Sequence, residues 1–183
     1  KRFLHGGNFH GDYIATAVDQ LKMGMIKLTL LTERRINFFL SSKLNGMFPP
    51  FLNLKEPGLT MGLQGLQFVA TSTAAQSQTL GYPHSLHSIP TNGDNQDVVS
   101  MGTDAALLAH KVVQNAYVLL AIEALALLHA SKASRANDQL SSASRALLTQ
   151  VKKIIPIVLE DRSLTDELDA LTRALKDKKN IVL

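Results

Sequence analysis

The chain has 183 residues, no cysteine and a formal net charge of +4, so it can build a real core but has no disulfide framework and no thiolate chemistry. Hydrophobic residues make up 45%, an ordinary globular share that argues against disorder. Basic residues are spread along the chain, with one small cluster at Lys176, Lys178 and Lys179; no basic stripe with interleaved aromatics exists, so nucleic acid is not an expected partner.

The chain opens at Lys1 and runs directly into HGGNFHG at residues 5 to 11, a glycine-punctuated loop that exposes Asn8, Phe9 and His10 and can approach a ligand closely. With no signal or transit peptide pattern, the expectation is a cytoplasmic piece of a larger soluble protein. Asp12 is a fair N-cap for a helix over about 13–44, in which Ile14, Val18, Leu21, Met25, Leu28 and Thr32 recur at four-three spacing. A second apolar row, Met23, Ile26, Leu30 and Phe38, predicts cover on several sides. The charged run Glu33, Arg34 and Arg35 reads as a solvated turn or an ion pair.

Asn45-Gly46 and Pro49-Pro50 end this helix, and Pro57-Gly58 closes the loop. A second helix over about 59–79 is rich in Gly, Ala, Ser, Thr and Gln. Small residues cost helix propensity but let backbones approach, which suits the inside of a tight bundle. The polar loop 85–102, SLHSIPTNGDNQDVVSMG, then packs Asn92, Asp94, Asn95, Gln96 and Asp97 into eighteen residues. It is longer than most connectors and reads either as a solvated link or as a grip on a polar ligand.

The segment 103–132 is the most hydrophobic, apolar most of the way round a helical wheel. Such a helix needs a large core or a subunit interface. Its most apolar run, Val118 to Ala130, contains Glu123 and His129 and is too short to span a bilayer, so no membrane partner is expected. His110 and His129 read as packing residues. Ser131 to Asn137 is a polar break. Leu140, Ser144, Leu147, Val151, Ile154 and Val158 give a further stripe for a helix at about 139–158, with Pro156 ending it, and Ser163 can cap a last helix at about 164–176. No segment alternates with period two. The expected fold is all-α, a bundle of long, largely antiparallel helices that forms part of a larger helical oligomer.

The six histidines are scattered without metal-ligand spacing, and neither a Walker loop nor a Ser-based nucleophile elbow occurs; no metal is expected. That leaves the two polar loops, whose amides could hold a carboxylate, an amine or another amide without acting as acids or bases.

Together GGNFHGD at 6–12, TERR at 32–35, PPFL at 49–52, GYPHSLHSIPT at 81–91 and NQDVVSMG at 95–102 resemble the aromatic amino acid ammonia-lyase and aminomutase family, which includes the histidine, phenylalanine and tyrosine enzymes. The resemblance covers residues 5 to 102 motif by motif, and the later helices by pattern. It implies an all-α homotetramer whose active sites draw on more than one subunit. It also implies elimination of ammonia from an aromatic α-amino acid by 4-methylideneimidazol-5-one (MIO), which forms by cyclisation of an Ala-Ser-Gly tripeptide. No Ala-Ser-Gly occurs in this sequence. The family's Tyr and Arg ahead of the GNFHG motif and its catalytic loop Tyr are also absent. Residues 1–183 therefore look like the C-terminal portion, expected to be inactive alone and to need the N-terminal portion of the same protein as partner.

By motif position, Phe9 resembles the ring that packs beside cofactor and substrate. Asn95 and Gln96 resemble the polar pair near the cofactor and the substrate's amino and carboxylate ends, and Asn92 resembles a residue lining the pocket around the ring substituent. Histidine enzymes resemble Gln-Glu-Asp where this chain reads Asn95-Gln96-Asp97, so Gln96 favours an uncharged or phenolic ring. The resemblance implies no catalytic residue in this chain. It leaves a tyrosine or phenylalanine ammonia-lyase and a 2,3-aminomutase both open. The alternatives are loop capping for Asn95 and Gln96, and a non-catalytic helical assembly module for the chain.

Overall fold

A computed structural model describes residues 1–4, 6, 9–134 and 139–177. Of the sequence readings, those on His5, Gly7 and Asn8, on the last three residues of the break ending at Asn137, and on Lys178 and Lys179 lie outside the described residues.

Among the described residues six α-helices form: α1 (Asp12–Leu40), α2 (Ser42–Asn45), α3 (Gln64–Thr79), α4 (Gly102–Ser134), α5 (Ser142–Ile154) and α6 (Thr165–Lys176), with 3₁₀ turns at Pro50–Leu52 and His84–Leu86. Among the described residues there are no strands, only isolated bridges at Pro57–Thr60 and Thr91–Gln96. The all-α expectation holds. Within it, the two longest helices run parallel. A Cβ on Gly102 would lie 4.0 Å from the Ala15 Cβ, and some twenty residues on Arg35 clasps Glu123 through two bonds of 2.6 and 2.8 Å. Helix α3 runs antiparallel to α1: Gln67 donates to Asn37 (3.0 Å) and Thr71 to Glu33 (3.1 Å).

Element ends follow local chemistry. Gly11, not Asp12, is the N-cap of α1, and it adopts a left-handed φ of 77° that glycine takes without a steric cost. Asp12 falls in the first turn, where a carboxylate complements the helix dipole. The expected helix to residue 44 breaks at Ser41, which is extended. Asn45 holds the broken end together: its amide donates to the carbonyls of Phe38 (2.8 Å) and Ser41 (2.7 Å), and its oxygen accepts from Met47 and Phe48. Helix α3 starts at Gln64 rather than near 59, because Gly62 turns the chain at a φ of 58° with no room for a Cβ against the Phe51 carbonyl. Ser141 caps α5 by accepting from the Ser144 N–H at 3.1 Å. Ile155, ahead of Pro156, is extended as the proline requires. Leu164 rather than Ser163 sits at the N-cap of α6, and the Ser163 hydroxyl still accepts from the Thr165 N–H at 3.4 Å.

The hydrophobic core gathers Ile36 and Leu40 from α1, Leu63 and Leu66 at the start of α3, and Leu119, Ile122 and Leu125 from α4. It is closed by Val151, Ile155 and Leu171. This is the far end of the α1–α4 pair from residues 11 and 102. It encloses the C-terminal half of α4 on nearly every side, whereas Leu107 in the N-terminal half stays exposed. Of the large core or subunit interface expected around α4, this chain supplies a core for the C-terminal half. All 33 residues of α4 taken together are long and apolar enough to cross a membrane, so shortness does not argue against a span; 67% of its most apolar window is instead packed inside the molecule, as a core helix requires. His129 is fully buried, with Nε2 accepting from the Val158 N–H at 3.1 Å. Burial lowers its pKa, against the opposing Leu52 carbonyl. His110, expected to pack, is exposed, with its ring 3.2 Å from the Gln114 amide nitrogen.

The buried stripe of α1 departs most from expectation. The chain buries Ala15, Asp19, Lys22, Thr29, Glu33, Ile36 and Leu40. This is a four-three repeat one residue out of step with the apolar one. Of the expected stripe, Thr32 is buried, but Ile14, Leu21 and Leu28 are 65%, 56% and 39% exposed. One residue is about 100° of helix rotation, so the apolar row faces outward and a polar row faces α3 and α4.

Candidate functional site

Both polar loops lie at the end of the molecule where α1 and α4 begin. His10 Nε2 donates to the Val98 carbonyl across 2.6 Å, and a Cβ on Gly11 would sit 3.5 Å from the Ser100 hydroxyl. Residues 9–11 and 98–102, remote in sequence, thus form one surface over two parallel helix N-termini. Unsatisfied backbone N–H groups and aligned dipoles make such an end attractive to negative charge.

The loop 85–102 is braced internally. Thr91 and Gln96 exchange both backbone hydrogen bonds (3.0 and 3.3 Å), and the Asn95 N–H reaches the Asn92 carbonyl at 3.2 Å. Between them Asn92, Gly93 and Asp94 are all left-handed, with φ of 57°, 61° and 61°, a conformation that Asn, Gly and Asp tolerate best. Ser88 Oγ accepts from the Val99 N–H (2.9 Å), and Asp97 Oδ1 from the Val98 N–H (2.9 Å).

Its entry is pinned by α1. Lys22, fully buried, donates to the Tyr82 carbonyl at 2.7 Å and pairs with Asp19 at 2.8 Å, and Asp19 accepts from the Ser85 N–H at 2.8 Å. Burial works to raise the Asp19 pKa, but the Lys22 bond and the Ser85 and His84 contacts outweigh it and hold the carboxyl at about 2. Beside them His84 stands 3.9 Å from Asp104 in the first turn of α4.

Phe9, Asn92, Asn95 and Gln96 are all exposed, Phe9 at 98%. Among the described residues none of the three side-chain amides is hydrogen-bonded, so loop capping falls to backbone groups, Ser88 and Asp97. Nor do the four residues line any of three cavities of about 210, 620 and 260 Å³, which lie near Leu128, Leu66 and Phe51. The chain brings Phe9 and the amide loop to one end of the bundle but does not enclose them. Asp19, Lys22 and Ser88 carry no role in the sequence reading, and His10 is read there only as an exposed loop residue, without its Val98 partner. An Asp and a Lys three apart inside an apolar helix were the available signal for the first two.

The family model for aromatic amino acid lyases matches residues 1–153. The chain belongs to the aromatic amino acid lyase family. Over 173 residues it is 41% identical to a tyrosine ammonia-lyase of Cupriavidus metallidurans, covering 94% of this chain and 32% of the relative. An MIO-dependent tyrosine 2,3-aminomutase of Streptomyces globisporus is 41% identical over 175 residues (96% and 32%). A crystal structure of the tyrosine aminomutase from that organism superposes with a TM-score of 0.94 at 39% identity, over 98% of this chain and 34% of that one. A histidine ammonia-lyase of Geobacillus thermodenitrificans is 39% identical over 175 residues (96% and 34%). The chain thus spans about a third of the length of these relatives. Carbon–nitrogen lyase and aminomutase chemistry on an aromatic amino acid is the class to which this family belongs.

Proposed function

We propose that the chain is the C-terminal portion of a cytoplasmic aromatic amino acid ammonia-lyase that removes ammonia from tyrosine or phenylalanine and leaves the cinnamic-type acid. The observation that supports this most is the His10–Val98 bond, which joins the Phe9 loop to the Asn95–Gln96 loop over two helix N-termini. In the reaction a weakly acidic β-proton leaves and the Cα–N bond breaks, which demands a substrate pinned in a reactive geometry. Phe9 would pack on the aromatic ring and exclude water. Asn92 would face the ring substituent. Asn95 and Gln96 would hold the amino and carboxylate end, their unengaged amides offering donors and acceptors that do not titrate. The same two amides fit MIO as neighbours; that group, when present, supplies the electrophile that activates the amine as a leaving group. Its Ala-Ser-Gly precursor is absent from this sequence and would come from the N-terminal portion, so this chain alone should release no ammonia.

A 2,3-aminomutase is the second reading, supported by an identity to the tyrosine aminomutase equal to that for the lyase. The deciding experiment incubates the complete protein with tyrosine, phenylalanine and histidine and separates the products by chromatography. Ammonia with the unsaturated acid supports the lyase; β-amino acid alone supports the mutase. If none of the three substrates reacts, or no companion segment carrying Ala-Ser-Gly exists, the enzymatic reading fails.

We also propose a homotetramer whose contacts use the outward row of α1, since Ile14, Leu21 and Leu28 expose apolar surface that this chain does not cover. Leu21→Glu in the complete protein should shift the mass measured by light scattering from tetramer towards smaller species. An unchanged mass would place the interface elsewhere.

A further inference from the structure

We propose that His10 is a positioning residue that sets the separation between the Phe9 ring and the Asn95–Gln96 pair; its consequence for ligand binding rests on the reading above. His10 follows Phe9 directly, and Val98 lies two residues beyond Gln96. The 2.6 Å bond between them therefore joins the two groups by the shortest available path. A carbonyl oxygen only accepts, so Nε2 carries the proton and Nδ1 is left to accept in the neutral ring. The tautomer is fixed by the contact itself.

The bond matters because the rest of each loop is held by other means. Loop 85–102 is closed on itself by the Thr91–Gln96 exchange and by Ser88 Oγ with the Val99 N–H, and its entry is pinned by Asp19 and Lys22. These contacts give the amide loop a shape and fix its first residues. None of them reaches residue 9. The Phe9 side leaves α1 through Gly11, whose carbonyl is held by the Ile14 and Ala15 N–H groups at 3.1 Å each, which leaves the N–Cα bond of Gly11 as the pivot for residues 9 and 10. Without the His10 bond, Phe9 would turn about that pivot independently of Asn95 and Gln96. A misplacement on the ångström scale at either group is enough to degrade a reactive geometry.

The test compares His10→Met, which keeps the bulk and removes the donor, with His10→Gln, whose amide nitrogen can reach the position of Nε2. In the complete protein, hydrogen–deuterium exchange over residues 95–99 should rise in His10→Met and return to the unaltered level in His10→Gln, with the melting temperature unchanged in both. Cinnamate affinity by calorimetry and kcat/KM for the amino acid should each fall about ten-fold in His10→Met, the scale of one lost hydrogen bond, and recover in His10→Gln. Exchange unchanged in His10→Met, a His10→Gln variant as impaired as His10→Met, or faster exchange with full affinity and turnover would each overturn the proposal. If the unaltered protein binds no aromatic acid and turns over no amino acid, the functional reading fails by itself, and the exchange data still decide whether His10 holds the loops together.

Discussion

Gln96→Ala should lower the turnover of the complete protein on the order of 100-fold, the usual cost of removing one positioned polar contact to a reacting group, with little change in melting temperature. The structure separates these two effects. Gln96 closes the loop through its backbone, whose N–H and carbonyl both pair with Thr91, and alanine keeps both bonds. Its side-chain amide makes no hydrogen bond within the described residues and is exposed, so its loss leaves no buried group unpaired. Turnover should be followed as release of the unsaturated acid, alongside thermal denaturation. Full activity in a folded Gln96→Ala protein would remove this residue from the site.

Lys22→Met should have the opposite profile, with stability lost first. Lys22 is fully buried and its partner Asp19 is 2% exposed, so methionine leaves a buried carboxylate without its counter-charge. Breaking a buried pair from one side costs about 3–5 kcal/mol; at roughly 2–4 °C per kcal/mol for a chain of this size, the melting temperature should fall by about 10 °C. Adding Asp19→Leu should recover most of that loss, because two apolar side chains of similar volume replace the pair. A double variant as unstable as Lys22→Met would show that the ion pair is not the cause. The pH dependence follows from the same contact. The Asp19 pKa is depressed to about 2 from an ordinary value of 3.8, so its contribution is complete above about pH 4 and disappears as the pH falls towards 2. Lys22→Met should weaken that acid dependence.

The two variants also separate two tasks within one loop. Gln96 carries an exposed side-chain amide beside the turn, which the proposed function uses, whereas Asp19 and Lys22 hold the first residues of the loop to α1. Loops are where binding groups concentrate, provided a rigid scaffold positions them. Here the scaffold is not a rim of the hydrophobic core, which lies at the other end of the α1–α4 pair. It is a seam in which Asp19 and Lys22 hold Ser85 and Tyr82 and Ala15 packs beside Gly102. Ala15 and Gly102, both small, let the two helix N-termini approach closely beside the point where residues 10 and 98 meet.

By itself the sequence determined the all-helical class, the main breaks between helices and the two loops that carry polar chemistry, because these depend on short-range properties. Periodicity, proline, glycine and the density of amides are all legible within a few residues. It also carried the family motifs, which are local strings. What it could not determine was which face of α1 turns inward. The apolar row at 14, 18, 21, 25 and 28 is the stronger periodic signal, yet this chain buries the row one residue later, since the segment between α3 and α4 supplies Asp19 and Lys22 with specific partners at Ser85 and Tyr82. An apolar stripe says only that something must cover it, not whether that cover is in the same chain. The parallel course of α1 and α4, and with it the meeting of His10 and Val98, likewise belongs to the tertiary structure alone. It arises from side chains dozens of residues apart, Arg35 on Glu123 and Ala15 on Gly102, whose pairing no local pattern encodes.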